Sequence, residues 1–206
     1  MMMRWRYLRS ITSFLFLVML LDACVQSDYT KLVKSELAKG IRQDSILLGI
    51  RFGDTRNEFF GKCFDLNKQH LVSQGPRGIA VQYLYTDSLV HEQPIQIKLL
   101  FSPSFDQNDT LSDMDLEFSY QAWAPWNREL QSDSMKIKVM RLLMLWYKGN
   151  EFISIKMDTA KIPIKLDGNR RLMIYTVDTQ SVIVRVQDIL HPKFRHSISS
   201  ERKKED

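Results

Sequence analysis

Residues 95–120 read IQIKLLFSPSFDQNDTLSDMDLEFSY, and apolar side chains occupy every second position near both ends of this stretch. The alternating residues are Ile95, Ile97, Leu99 and Phe101, and then Met114, Leu116, Phe118 and Tyr120. A period of two predicts strands with one buried side and one solvent-facing side, as in an antiparallel sheet. A third strand is predicted before them from Ile79, Val81, Tyr83 and Tyr85. The solvent-facing side is marked by Gln82, Gln96, Lys98, Asp113, Asp115 and Glu117.

A helix is predicted on the N-terminal side of these strands. Thr55 followed by Glu58 forms the pattern of a capping box, in which each side chain accepts a hydrogen bond from the other residue's backbone N–H. Apolar residues then follow at helical spacing, namely Phe59, Phe60, Cys63, Phe64, Leu66 and Leu71.

The same order of elements occurs a second time. A helix is predicted over residues 133–148, with Gly149 as its C-terminal cap and with Met135, Val139, Leu142, Leu143 and Trp146 along one stripe. Strands are predicted at residues 152–157, 172–177 and 182–189, with a short additional strand possible at 162–166. The predicted fold is therefore α+β: a two-layer sandwich in which a helix plus three antiparallel strands occurs twice, over about residues 54–121 and 128–189.

The N-terminal segment has the pattern of a secretory signal. Arg4, Arg6 and Arg9 precede an apolar run over residues 11–21, and the small residue Ala23 follows it. A membrane-spanning helix needs about 20 apolar residues, which this run does not supply. The alternative is a helix that belongs to a soluble core.

The sequence Leu21-Asp22-Ala23-Cys24 resembles the lipobox of bacterial lipoproteins, although Asp22 occupies a position where a small uncharged residue is usual. The resemblance implies transfer of a diacylglyceryl group to the Cys24 thiol and cleavage before it. It also implies a lipid-anchored protein of the bacterial cell envelope, at the outer membrane and facing the periplasm. Cys63 then has no intramolecular partner, which favours its burial. The alternative is a Cys24–Cys63 disulfide in a secreted protein.

The chain is predicted to divide into a signal peptide at residues 1–23, a tether at 24–31, one domain at 32–190 and a disordered tail at 191–206. Within the domain, residues 47–59 resemble a helix start found in small outer-membrane lipoproteins. Gly53, Thr55 and Glu58 carry the resemblance, and it implies no particular partner.

Composition excludes some classes of function. Hydrophobic residues make up 44% of the chain and aromatic residues 11%, which is ample for one core. The net charge of +5 includes three arginines and Asp22 from residues 1–23, so that the remainder carries +5 − 3 + 1 = +3. This excess is small and scattered, which argues against a nucleic-acid partner.

Candidate catalytic and metal-binding residues are few. Cys63 and His70 are seven positions apart on the predicted first helix, which separates their backbones by about 10 Å and disfavours activation of the thiol. Asp113, Asp115 and Glu117 share one strand face, for which a solvated surface is favoured over a calcium site or an acid pair. His191 and His196 have no further ligands at metal-binding spacing. No cofactor, metal site or enzymatic activity is therefore predicted.

Trp123 and Trp126 flank Pro125 between the last strand of the first unit and the second helix, and they are the candidate binding residues. The favoured interpretation of these two residues, however, is structural: both rings cover the sheet edge where the chain crosses it. The favoured function is a protein-binding or scaffolding lipoprotein that uses the sheet face or this tryptophan loop. The second function is a ligand-binding lipoprotein for a glycan, lipid or peptide, which needs a pocket next to the tryptophans.

Overall fold

The structure is a computed structural model, and it describes residues 28–78, 80–87, 95–157 and 160–194 of the 206-residue chain. The predicted signal peptide, the lipobox-like segment with Cys24 and residues 195–206 of the predicted tail lie outside the described residues.

Among the described residues, eight strands form one antiparallel sheet, in the order β3-β4-β5-β6-β10-β9-β8-β7. Their bounds are β3 Val72–Gln74, β4 Val81–Asp87, β5 Ile95–Phe105, β6 Leu111–Tyr120, β7 Ile153–Met157, β8 Ala160–Asp167, β9 Arg170–Thr176 and β10 Ser181–Asp188. The two halves of the chain meet at the centre, where β6 pairs with β10 and Phe118 lies opposite Val182.

The helices are α1 Asp28–Ala38, α2 Arg56–Lys68 and α3 Ser132–Trp146. The prediction of a two-layer sandwich built twice from a helix plus three strands is wrong. Both α2 and α3 are followed by four strands, and the two sets of strands join edge to edge into one sheet. In addition, α1 packs on the opposite side of the sheet from α2 and α3, which adds a third layer.

The larger core lies between the sheet and the pair α2 and α3. Thr55 caps α2 in the predicted capping box, because its hydroxyl accepts from the Glu58 N–H at 3.2 Å and the Glu58 carboxylate accepts from the Thr55 N–H at 2.7 Å. From α2 only Phe59 and Cys63 are buried, whereas Phe60 and Phe64 are exposed. The predicted stripe of α3 is confirmed, since Met135, Val139, Leu142 and Leu143 all lie in this core.

The smaller core lies on the other side of the sheet, beneath α1. Tyr29 and Val33 pack against Ile162, Ile164 and Leu166 of β8, which alternate toward this side of the sheet. Because α1 begins at Asp28, residues 28–31 of the predicted tether belong to this helix. Its apolar residues recur with helical spacing, which aligns them in one stripe against the sheet.

A small hairpin, β1 Ser45–Leu47 and β2 Ile50–Arg51, follows α1 and packs on the α2 and α3 side. Its turn residues, Leu48 and Gly49, have φ of 49° and 82°, as a type I′ turn requires. A leucine in the left-handed region costs about 1 kcal/mol, so packing must hold Leu48 in place. The Tyr147 hydroxyl donates to the Ile46 carbonyl and connects the hairpin to the end of α3.

The first residues of the predicted tail are packed. His191 Nε2 lies 3.0 Å from Asp106 Oδ2, Lys193 Nζ lies 2.7 Å from Asp113 Oδ2, and Phe194 is buried. The folded part of the chain therefore continues beyond residue 190.

Candidate functional site

The loop between β6 and α3 carries both candidate tryptophans. Trp126 is 84% exposed and lies in a tight turn closed by a hydrogen bond from the Asn127 N–H to the Ala124 carbonyl at 3.0 Å. Gln131 Nε2 donates to the Pro125 carbonyl at 3.0 Å and braces the same turn. The Trp126 ring is therefore exposed to solvent, while the backbone turn that carries it is held by two hydrogen bonds.

Trp123 has a different position, because it is only partly exposed. Its indole Nε1 donates to the Thr179 carbonyl at 3.3 Å, and the Ser132 N–H donates to the same carbonyl at 3.0 Å. These contacts connect the tryptophan loop to the turn between β9 and β10. Trp123 thus contributes to holding the loop, and Trp126 alone presents its ring to solvent.

The acidic row on β6 lies on the side of the sheet away from α2 and α3, since the residues that alternate with it lie in the larger core. The predicted solvated surface is wrong for Asp113, which is buried, and Asp115 and Glu117 are only partly exposed. Asp113 pairs with Lys193, Asp115 receives two hydrogen bonds from Arg185 at 2.8 and 3.0 Å, and Glu117 accepts from the Ser181 hydroxyl at 3.0 Å. The Asp115 carboxylate raises the pKa of Arg185. Within the described ranges, no group of three or more His, Cys, Asp and Glu side chains is arranged to hold a metal ion.

Cys63 and His70 are not brought together. Cys63 is a buried free thiol whose pKa is raised to about 11 by burial, which suppresses the reactive thiolate. His70 is exposed just beyond the end of α2, with φ of 57°. The predicted burial of Cys63 is confirmed.

His191 contacts a carboxylate, and His196 lies outside the described residues. The pKa of Asp106 is lowered to about 2, first by the Thr110 backbone N–H and then by the hydrogen bond with His191. The Asp106 side chain therefore fixes both the β5–β6 turn and the start of the C-terminal segment.

A pocket that the sequence analysis missed lies between the β1–β2 hairpin, β4 and the end of α3. Its volume is about 640 Å³. Its lining includes four aromatic side chains, those of Tyr83, Tyr85, Trp146 and Tyr147. We call this pocket the aromatic cavity. Tyr85 and Trp146 meet edge to face, with ring centroids 6.0 Å apart. The alternation of β4 indicated that both tyrosines face one side, but no local signal shows which distant segments enclose them.

The inner wall of the aromatic cavity carries a buried positive charge. The guanidinium of Arg170 is only 4% exposed, stacks 4.2 Å from the Tyr147 ring centroid and donates to the Ser45 carbonyl at 2.9 Å. Burial lowers the pKa of Arg170, and Tyr147 and Asp167 oppose this effect. Gly149 permits the approach of Asp167, since a Cβ at that position would overlap the carboxylate. The predicted capping role of Gly149 is instead filled by Tyr147.

Comparisons with protein-family models, with curated proteins and with solved structures find no match to this chain. In the part of the chain that the structure describes, no helix has both the length and the apolar character to cross a membrane. The functional conclusion therefore depends on the residues of this chain alone.

Proposed function

We propose that the protein is a lipid-anchored envelope lipoprotein that holds a protein partner, with Trp126 at the centre of the contact. The observation that carries this proposal is the 84% exposure of Trp126 on a turn held by its own hydrogen bonds. Tryptophan is enriched among the residues that dominate binding energy at protein interfaces. A ring held in place before binding also loses little conformational freedom when a partner covers it.

The anchor is supported by the lipobox-like segment, in which Leu21, Ala23 and Cys24 match the pattern. Multiple acyl chains on Cys24 give stable membrane attachment, since each buried CH₂ contributes about 0.8 kcal/mol. We place the folded domain at the outer membrane, facing the periplasm, where a partner in the envelope is within reach. No nucleic acid is proposed as a partner.

The binding proposal is tested by comparing Trp126→Ala with Ile137→Ala. Ile137 is 55% exposed on α3, so its substitution also removes an exposed apolar side chain. The purified variants are cross-linked to envelope proteins, and each captured protein is purified and titrated against wild type and both variants. We expect Trp126→Ala to weaken binding by about 2 kcal/mol or more and Ile137→Ala to leave it unchanged. Equal affinity of wild type and Trp126→Ala for every captured partner overturns the proposal.

The second candidate function is a ligand-binding lipoprotein, and the aromatic cavity favours it. Its volume of about 640 Å³ is typical of small-molecule sites. This cavity is not next to the tryptophan loop, because neither Trp123 nor Trp126 lines it. The two candidate functions therefore use separate surfaces.

A further inference from the structure

The aromatic cavity has an apolar side built from three segments. Tyr83 and Tyr85 belong to β4, Trp146 is the last residue of α3, and Leu48 lies in the turn of the β1–β2 hairpin. Leu48 is held in the left-handed region of φ, a conformation that costs about 1 kcal/mol for a leucine. Aromatic faces and edges in such an arrangement favour contact with a flat or apolar organic group.

The opposite side of the cavity carries the guanidinium of Arg170, which shares the Asp167 carboxylate with Lys165, a residue outside the cavity lining. The carboxylate of Asp167 lies 3.6 Å from the guanidinium of Arg170 and 3.0 Å from the ammonium of Lys165. Both cations are almost fully buried, so a single buried carboxylate is shared between two buried positive charges. The Nε of Arg170 has no hydrogen-bond partner among the described residues. A buried donor without a partner costs free energy.

The two charged residues that line the cavity are both positive. Lys148 is the other charged residue in the lining, and the described lining residues include no carboxylate. The other titratable groups that face the cavity are the hydroxyls of Tyr83, Tyr85 and Tyr147. Among the described lining residues, an anion that enters the cavity therefore meets the positive charges of Arg170 and Lys148 and no carboxylate, although the Arg170 guanidinium also lies 3.6 Å from the Asp167 carboxylate.

We infer that the aromatic cavity binds a small organic carboxylate with an aromatic or apolar body. The carboxylate accepts hydrogen bonds from the Arg170 guanidinium, and the body lies against Tyr83, Tyr85 and Trp146. Arginine suits this task, because its planar group donates several hydrogen bonds to one carboxylate. The inference rests on the second candidate function, which it deepens by naming the class of ligand.

The experiment uses hydrocinnamate as the probe and hydrocinnamyl alcohol as its neutral counterpart. Binding is followed by calorimetry and by the Nε–H resonance of Arg170 in protein with isotope-labelled arginine. We expect saturable binding of the acid with a shift of the Arg170 resonance, and about tenfold weaker binding of the alcohol, as the loss of a charged hydrogen bond requires. Equal affinity of acid and alcohol, or acid binding without the Arg170 shift, overturns the inference.

Substitution of Arg170 itself would remove its hydrogen bond to the Ser45 carbonyl and could disturb the fold. The mutational test therefore uses a variant that leaves the inner wall of the cavity intact. Leu145 lines the cavity and is 62% exposed, so Leu145→Glu adds a negative charge without disturbing the core. We expect Leu145→Glu to weaken acid binding about threefold or more relative to Leu145→Gln, with no change for the alcohol. Ile137→Glu on the same helix is the control, because Ile137 does not line the cavity. An equal effect of Leu145→Glu on acid and alcohol contradicts the inference.

A free acid and the carboxyl end of a peptide share this chemistry. N-acetylglycylphenylalanine and its amide distinguish the two sources: tighter binding of this peptide acid than of hydrocinnamate supports a chain end, and the reverse supports a free acid. Trp126→Ala is expected to bind hydrocinnamate as wild type does, since Trp126 lies outside the cavity. Failure of the cavity inference and failure of the protein-binding proposal are therefore distinguishable.

Discussion

At the scale of single residues, Asp106 connects two distant parts of the chain. Its Oδ1 accepts from the backbone N–H groups of Asn108 and Thr110, both at 2.9 Å, and its Oδ2 lies 3.0 Å from His191 Nε2. These contacts favour the ionised carboxylate and lower its pKa to about 2. The packed position of residues 191–194 depends on this contact and on Lys193 with Asp113.

The lowered pKa predicts how Asp106 contributes to stability as pH changes. A carboxylate with a folded pKa of about 2 and an ordinary value of 3.8 stabilises the fold above about pH 4. This contribution is lost as pH falls through the folded pKa toward pH 2. We expect Asp106→Asn to melt below wild type at about pH 5, and the two melting temperatures to converge near pH 2. Thermal melts over this range, with the exposed Asp65→Asn as control, measure the difference; an unchanged gap at pH 2 contradicts the prediction.

At the scale of elements, local signals decided what the sequence could predict. The start of α2 was predictable because Thr55 and Glu58 form their hydrogen bonds within one turn. The stripe of α3 was predictable because helical periodicity depends only on neighbouring residues. In contrast, β3 has three residues, too few for alternation to appear. Most of β8 is buried on both faces, but it contains the charged residues Lys165 and Asp167. Charged residues in a sequence indicate exposure, so the sequence does not predict that this strand is buried on both faces.

The capping box of α2 gives a prediction about an element. Thr55→Ala removes the side-chain acceptor for the Glu58 N–H, and loss of such a cap typically costs about 1 kcal/mol. Urea unfolding measures the change in the free energy of unfolding. Asn57→Ala is the matched control in the same turn, because Asn57 is exposed and takes no part in the capping box. We expect its effect to stay within about 0.5 kcal/mol. A Thr55→Ala variant as stable as this control would show that the cap contributes nothing.

The candidate site shows the limit of sequence reasoning at the element scale. Trp126 was identified from residue type and its position in a connection, and the structure places it in solvent. The aromatic cavity was missed because its lining comes from residues 43, 45–48, 83, 85, 145–148 and 170. These segments meet only in the folded chain. From the sequence, Arg170 is expected to be an exposed polar residue at the start of a strand. Only the structure shows that it is buried.

At the scale of the whole molecule, two chain halves with the same order of elements share one sheet. Each half places a helix and then four strands, and the halves join through β6 and β10. Periodicity predicted the antiparallel pairing within each half, but it does not specify which edges join or which side of the sheet α1 covers. Those choices depend on packing between residues far apart in the sequence, which explains why the two-layer sandwich prediction was wrong.

We propose that this sheet domain is a binding module held at the membrane by a lipid anchor. The anchor is tested most directly by the intact mass of the full chain after expression in a Gram-negative host. We expect loss of residues 1–23, addition of acyl chains at Cys24 and recovery in the membrane fraction, all abolished by Cys24→Ser. A wild-type chain with an unmodified Cys24, or a Cys24→Ser variant that stays membrane-bound to the same extent, would contradict it.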